Sequence, residues 1–350
     1  MVGKKEGVHN GCPLLQNNYS TGESSTTTLI YDNYVPLDYF RGEILYPDIN
    51  RFLNNSLLNF TEPFNVDTGE IGTSKSRTGT VKKPQRWTEY KNMVFKYYPD
   101  NGRMFISGSL HKFYNDGKHN HDQFTQDKFK SALKALNDSF GITPDKVRIT
   151  SLEWGVNIKT PIPVNTILDH CFFINHKRIT QDFVDNRQAK YHLAVFDEYN
   201  VKLYNKSIQY QLNSEVLRIE RKQKDFKKFA DKQNIQPTLQ GIINSGFKGM
   251  STTLLNDWQR VLFVDPELTK HPKYLKYSNP KFWENKRKLK SGNQIIARHR
   301  KELKELNKSQ GGNYHNQITQ ILTSKLNEMS NDVLTFSPFS YTRKSLTELN

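Results

Sequence analysis

The run from Val147 to Ile158 sets the tightest limit on what this chain can fold into. Leu152, Trp154, Val156 and Ile158 fall on every second position, with Ser151, Glu153 and Asn157 between them. A period of two is that of a β-strand, whose side chains point alternately to opposite faces. The run therefore buries one face and leaves a polar face behind. An amphipathic helix does not fit, because its apolar positions recur at three and four.

The same split recurs elsewhere. In Arg103 to His111 the apolar side is Met104, Ile106 and Leu110, opposite Arg103, Ser107, Ser109 and His111. In Val201 to Lys206, Val201 and Leu203 oppose Lys202, Tyr204 and Lys206; in Glu215 to Lys222, Leu217 and Ile219 oppose Arg218, Glu220 and Lys222. Further strands are expected near Thr28 to Tyr31, at Met93 to Tyr98 and at His192 to Phe196. Pro99-Asp100-Asn101-Gly102 supplies the hairpin turn before Arg103.

Two helices interrupt the strands. Phe129, Leu133, Leu136 and Phe140 form an apolar stripe ending at Gly141, and Pro163 opens a helix with Val164, Ile167, Leu168, Cys171 and Phe172 on its buried side. This order predicts an α+β fold, an antiparallel sheet with helices on one face, followed from about Phe226 by a mostly helical basic region. The expected divisions are a flexible leader over 1–27, an α+β domain over 28–230 and a helical accessory region over 231–350, with a mobile hairpin or an inserted loop at Asn65 to Pro84.

Charge narrows the partner. The 350 residues carry 51 Lys plus Arg against 35 Asp plus Glu, a net +16, which favours an anionic partner. Between Asp265 and Lys308 the balance is 13 to 5, so half of the surplus lies there. No apolar run approaches the roughly 18 to 20 residues of a membrane span, which argues against a membrane. Lys4 and Lys5 lead into Gly7, His9 and Asn10 rather than an apolar signal segment, and Cys12 and Cys171 are too few for a disulfide framework or a cysteine zinc site. A cytoplasmic location is expected. His119, His121 and Asp122 lack a partner pair at zinc-finger spacing.

On the polar faces, the carboxylates of Glu153 and Glu220 stand among Lys, Arg, Tyr and Asn, a set suited to a hard divalent cation beside a phosphate backbone. Reading His111 on the same face makes it a third candidate ligand. An ordinary solvated sheet face with scattered ion pairs has the same pattern.

Five short segments, in order, carry a family resemblance. Ser107-Gly108-Ser109-Leu110-His111-Lys112-Phe113 and Gly117-Lys118-His119-Asn120 resemble Gly-Ser-x-x-Lys and Gly-His-Asn elements. Arg148-Ile149-Thr150-Ser151-Leu152-Glu153 is similar to an Arg, hydrophobic, Asp strand, Val201-Lys202-Leu203-Tyr204-Asn205-Lys206-Ser207 to a hydrophobic, Tyr, Asp or Asn, Lys strand, and Val216-Leu217-Arg218-Ile219-Glu220 to a Leu-Arg-hydrophobic-Glu strand. Over about residues 28–230 the chain thus resembles the replication initiators of filamentous phages and of staphylococcal-type rolling-circle plasmids. It departs from them in carrying Glu153 for Asp and Asn157 where a second acid is expected.

The resemblance implies an endonuclease that nicks and rejoins one strand at an origin, through a tyrosine on a segment just before the Tyr-Asn-Lys strand. Attack leaves a 5′-phosphotyrosyl link and a free 3′-hydroxyl. Tyr191 stands thirteen residues before Tyr204, but His192, Leu193 and Ala194 follow it instead of the family's Tyr-x-Gly-Ser pattern, so Tyr199 competes with it. A phenol of pKa near 10 needs a base or cation nearby, and Lys190 and His192 flank Tyr191. Tyr204 and Lys206 complete the implied catalytic set, with Lys206 clamping the phosphate.

Glu153, Glu220 and His111 are the implied ligands of Mg²⁺ or Mn²⁺. The implied DNA contacts are Lys112, Asn120, Lys202 and Arg218, joined in the basic region by Lys286, Arg287, Lys288, Lys290, Arg298 and Arg300. The expected partners are origin DNA, single- and double-stranded, and a host helicase and polymerase. The competing reading is a non-catalytic DNA-binding regulator of replication or transcription. A relaxase or transposase would carry a His-hydrophobe-His pair on a strand, and none occurs.

Overall fold

In the computed structural model, which describes residues 34–62, 74–75, 81–82, 84–183, 190–211 and 213–330, the alternating runs form strands. In chain order, β1 (Leu37–Ile44) and α1 (Ile49–Leu53) precede a short pair, β2 (Ser74–Lys75) and β3 (Val81–Lys82). Next come β4 (Arg86–Tyr90), β5 (Met93–Tyr98), β6 (Arg103–Gly108), α2 (Leu110–Tyr114) and α3 (Gln126–Phe140). The middle of the chain holds β7 (Val147–Lys159), α4 (Val164–Asp169), β8 (Cys171–Ile174), β9 (Lys177–Arg178), β10 (Thr180–Phe183) and β11 (Lys190–Val195). Then follow β12 (Tyr199–Asn205), α5 (Lys206–Tyr210), β13 (Val216–Gln223), α6 (Phe226–Gln233), α7 (Leu239–Asn244) and α8 (Met250–Gln259). The last elements are β14 (Val261–Phe263), α9 (Tyr274–Tyr277), α10 (Pro280–Arg287), α11 (Gly292–Ser309) and α12 (Tyr314–Ser330).

Nine strands form one sheet in the order β10-β11-β12-β13-β7-β1-β6-β5-β4, every pair antiparallel. The fold is α+β, as the alternation requires. One face is apolar: Phe40, Phe95, Ile106, Ile149, Trp154, Val156, Leu203 and Ile219 are buried in a single core with Phe129 and Leu133 of α3. Phe226, Ile242, Leu254 and Trp258 of α6 to α8, and Ile318 and Leu322 of α12, belong to that same core. The expected boundary near residue 230 therefore does not separate two cores. A smaller core, with Phe173, Leu262, Tyr277, Trp283 and Leu303, joins β8 and β14 to α9, α10 and α11.

Several elements differ from the sequence reading, each through a capping residue or a short helix. β6 stops at Gly108 because the Ser109 hydroxyl accepts from the Lys112 amide and starts α2, which moves His111 off the sheet. β12 stops at Asn205, whose side chain accepts from the Ser207 and Ile208 amides, so Lys206 opens α5 instead of extending the strand. The helix opened by Pro163 ends at Asp169, and Cys171 and Phe172 lie in β8. The leader over 1–27, the strand expected near Thr28 to Tyr31 and most of the loop from Asn65 to Pro84 lie outside the described residues. Among the described residues no helix is long and apolar enough to cross a membrane.

Among the described residues, one buried ion pair stands on the apolar face. Arg221 of β13 donates to both carboxylate oxygens of Asp257 on α8, at 2.9 and 2.8 Å, and its guanidinium lies 3.4 Å from the ring centre of Tyr199. Removing one partner strands a buried charge. Asp257→Ala is therefore expected to cost about 3–5 kcal/mol in urea unfolding. Arg221→Met added to it should recover part of that loss, and a single variant as stable as the parent would show that the pair is not buried.

Candidate active site on the open sheet face

Cross-strand partners point to the same side of a sheet. The register pairs Tyr191 with Tyr204, Tyr204 with Arg218 and Arg218 with Asn157. One pleat along, Leu193 pairs with Lys202, Lys202 with Glu220 and Glu220 with Gly155; Lys222 pairs with Glu153. Tyr191, Glu153, Asn157, Lys202, Tyr204, Arg218, Glu220 and Lys222 thus share the face opposite the apolar core.

Arg218 is the hub of this face. Its guanidinium donates to Asp38 of β1 at 2.6 Å, to Asn157 at 3.0 Å and to Glu220 at 3.1 Å. It crosses β7 at Gly155, where a Cβ would stand 3.1 Å from the guanidinium and 2.7 Å from the Ile219 carbonyl oxygen. Any side chain at 155 would therefore obstruct the bridge. Glu220 also accepts from Lys202 at 3.0 Å and from the Tyr204 hydroxyl at 3.2 Å, while Glu153 pairs with Lys222 at 2.7 Å and with Lys202 at 3.6 Å.

These contacts set the protonation states. Burial opposes ionisation of Glu220, but Lys202 and Arg218 outweigh it and hold the carboxyl down at about 2. Burial and the neighbouring Glu220 carboxylate push Glu153 up, against Lys202 and Lys222. Burial raises the Tyr204 phenol well above its ordinary value, so it stays a hydrogen-bond donor.

A loop closes one end of the site. Asn120 donates to Asp38 at 2.7 Å, its side-chain oxygen accepts from the Tyr210 hydroxyl, and its backbone oxygen accepts from Lys206 at 2.9 Å. Lys206 is 1% exposed, and burial, reinforced by Arg218, lowers its ammonium to about 7. It lines a cleft of about 610 Å³ together with Tyr34, Asn157, Ile321 and Lys325.

The sequence-predicted residues therefore divide. Tyr191, Tyr204, Lys202, Arg218, Glu153 and Glu220 share the open face, whereas Tyr199 lies on the covered face between Phe196, stacked at 4.4 Å, and Arg221. His192 is buried on that covered face too, away from Tyr191, and the Lys190 side chain lies outside the described residues. Lys206 and Asn120 are clasps within the protein, and Arg218 is buried, so none of the three presents itself to DNA. Lys112 stands on α2 instead of the sheet.

In the basic region, Lys288, Lys290 and Arg298 are exposed. Lys286 lies over the Phe282 ring at 5.7 Å, Arg287 donates to the His176 carbonyl, and Arg300 donates to the Asn175 and Arg260 carbonyls at 2.7 and 3.2 Å. Arg287 and Arg300 thus tie their helices to the turn between β8 and β9. Asp38 is not legible in the sequence. A bulge between Leu37 and Phe40 breaks the alternation of β1 that would have marked it.

The expected metal does not fit these residues as they stand. His111 is held by Asp122 at 2.7 Å and stacked on Phe124, and burial lowers it to about 4, keeping the ring neutral and apart from the two glutamates. Lys202 lies between Glu153 and Glu220, where a shared cation would sit. Among the described residues no group of three or more His, Cys, Asp or Glu could hold a metal ion.

No protein-family model and no curated protein sequence matches the chain. Among solved structures it is similar to a rolling circle replication initiator protein from Geobacillus stearothermophilus, at 12% identity and a TM-score of 0.37, over 69% of this chain and 94% of that one.

The buried Lys206 gives the site a pH signature. Its folded value of about 7 lies below the roughly 10.4 of an unfolded lysine, so between these the unfolded chain binds more protons and stability rises with pH. Lys206→Met removes that rise. The variant is expected to lose ground to the parent by on the order of 1 kcal/mol per pH unit as pH climbs from about 7 to 10, measured by denaturant unfolding. Parallel profiles would contradict the burial of this ammonium.

Proposed function

We propose that the chain nicks and rejoins one DNA strand at a replication origin, in the manner of a rolling-circle initiator, with Tyr191 as nucleophile. The observation that carries this reading is the register of Tyr191 against Tyr204, on the open face that also holds Lys202, Glu153 and Glu220. Tyr199, the competing phenol, packs under the sheet.

The step is a transesterification. The Tyr191 oxygen attacks phosphorus, the bond to the 3′-oxygen breaks, and the phenolic proton ends on that oxygen as the 3′-hydroxyl. The phosphotyrosyl link keeps the strand joined to the protein until a 3′-hydroxyl reverses the reaction. Of the two glutamates, Glu153 has the higher proton affinity, since burial and Glu220 raise it, and it is the candidate to hold the proton in transit. Tyr204 stays protonated and orients the face through Glu220. Lys202 already occupies the position that the expected Mg²⁺ or Mn²⁺ would take, so this reading rests on the protein's own cations.

Tyr191→Phe is expected to abolish covalent attachment to a labelled single-stranded origin fragment while leaving binding within about twofold, since only the attacking oxygen is removed. Tyr199→Phe should retain attachment. Binding without attachment by the parent protein, across divalent-metal conditions, would favour the non-catalytic regulator instead.

The exposed cations of the last helices give a second test, on duplex DNA. Changing Lys288, Lys290 and Arg298 to Ala should weaken duplex binding and flatten its dependence on log salt by up to about 0.9 per lost phosphate contact. An unaltered slope would show that these residues face water alone.

A further inference from the structure

The open face continues beyond the site, across β1, β6, β5 and β4, and changes character there. The register links Arg148 to Glu43, Glu43 to Phe105, Phe105 to Lys96 and Lys96 to Trp87, so these five stand in one row across the sheet. Adjacent rows add Arg103 beside Tyr98, and Arg41. The Arg103 guanidinium lies 4.9 Å from the centre of the Phe105 ring, Arg41 lies 6.0 Å from it, and Tyr98 meets Phe105 edge-on at 5.6 Å.

Trp87 is 43% exposed on this face, whereas Trp154, Trp258 and Trp283 are at most 2% exposed. The indole does not stand alone: Phe105 and Tyr98 share its face, and a group of aromatic rings left open marks an interaction surface where a lone ring would not. Charge identifies the occupant: Arg41, Lys96, Arg103 and Arg148 outnumber Glu43 and, at the outer edge, Glu89. Glu43 is already matched by Arg103 at 2.7 Å and by Arg148. A cationic face studded with aromatic rings suits an anionic chain with flat unpaired groups.

We propose that this part of the sheet is a platform for single-stranded nucleic acid, with bases stacking on Trp87 and Phe105 and phosphates meeting Arg41, Lys96, Arg103 and Arg148. Duplex DNA offers such a face its phosphates but not its base planes, which are stacked inside the helix; a single strand offers both. Phe105 and Tyr191 are five strands apart in the sheet, roughly 24 Å at about 4.8 Å per strand, so a strand lying across the face would run from the platform to the proposed nucleophile. The platform shares the DNA ligand of the proposed function but needs none of its chemistry.

Because Trp87 is the exposed tryptophan, it reports binding directly. Titrating the full chain with a short oligothymidylate should quench its tryptophan fluorescence. Trp87→Phe should abolish that quenching, and Trp87→Ala should weaken binding at least fivefold, the low end of about 1–3 kcal/mol per stacked base. Arg103→Ala should weaken binding and lower its salt slope by about 0.7. In the unmodified protein, ultraviolet crosslinking to the same oligonucleotide should place adducts on Trp87 or Phe105. Absent quenching, quenching that survives in Trp87→Phe, adducts only elsewhere, or equal competition by duplex would each overturn the platform. Quenching retained in Tyr191→Phe supports it, and quenching in a parent protein that never attaches covalently would keep the platform while removing the nuclease reading.

Discussion

The open face depends on one buried guanidinium. Arg218 is 4% exposed in a central strand, and an unpaired charge there would cost several kcal/mol. Its three bonds, to Asp38, Asn157 and Glu220, tie β1, β7 and β13 together on the face opposite the core shared with α3, α6 to α8 and α12. That requirement propagates outward. Position 155 must be glycine to let the guanidinium across, and Asp38 recruits Asn120 from the loop, which in turn receives Lys206 and Tyr210. A polar face linked in this way holds its side chains in fixed positions before any substrate arrives, which is what positioning a phosphodiester against a phenol demands.

The next arginine along the same strand, three residues on, solves the opposite problem. Arg221 points into the core and is neutralised by a single acid, Asp257, brought from α8. Strand β13 therefore carries a buried cation on each side, one knitting strands together and the other fastening the helical layer to the sheet. For this reason the helices after residue 230 are part of the fold and not an appendage, although the stretch from Asp265 to Lys308 within them holds half of the net charge.

Alternation made the strands legible, and with them the fact that Glu153, Lys202, Tyr204, Arg218 and Glu220 face one way. A one-residue signal governs each place where sequence reasoning failed. Ser109 and Asn205 cap short helices within runs that still alternate, so His111 and Lys206 were read as strand residues. The bulge in β1 hid Asp38. Tyr199 has the parity of Val201 and Leu203, and its place under the sheet could have been inferred from that parity alone. Trp87 and Phe105 do not stand out in the sequence because aromatic residues in strands are usually core, and only the register shows that these two lie opposite it.

In the proposed reaction, Lys202 makes the acids and the phosphate competitors. With the ammonium 3.0 Å from Glu220 and 3.6 Å from Glu153, the acid pair and its lysines are balanced, and an approaching phosphate meets no free charge at the centre of the site. A phosphate that draws Lys202 toward itself leaves two carboxylates facing each other in a poorly solvated place, and their repulsion raises the proton affinity of the pair. Substrate binding and the appearance of a base would then be one event. The platform at β4 to β6 has no such internal balance, since its arginines and lysine exceed its acids. On the proposed reading, electrostatic attraction would therefore act first at the cations around Trp87 and Phe105, and a strand would reach the balanced site already held.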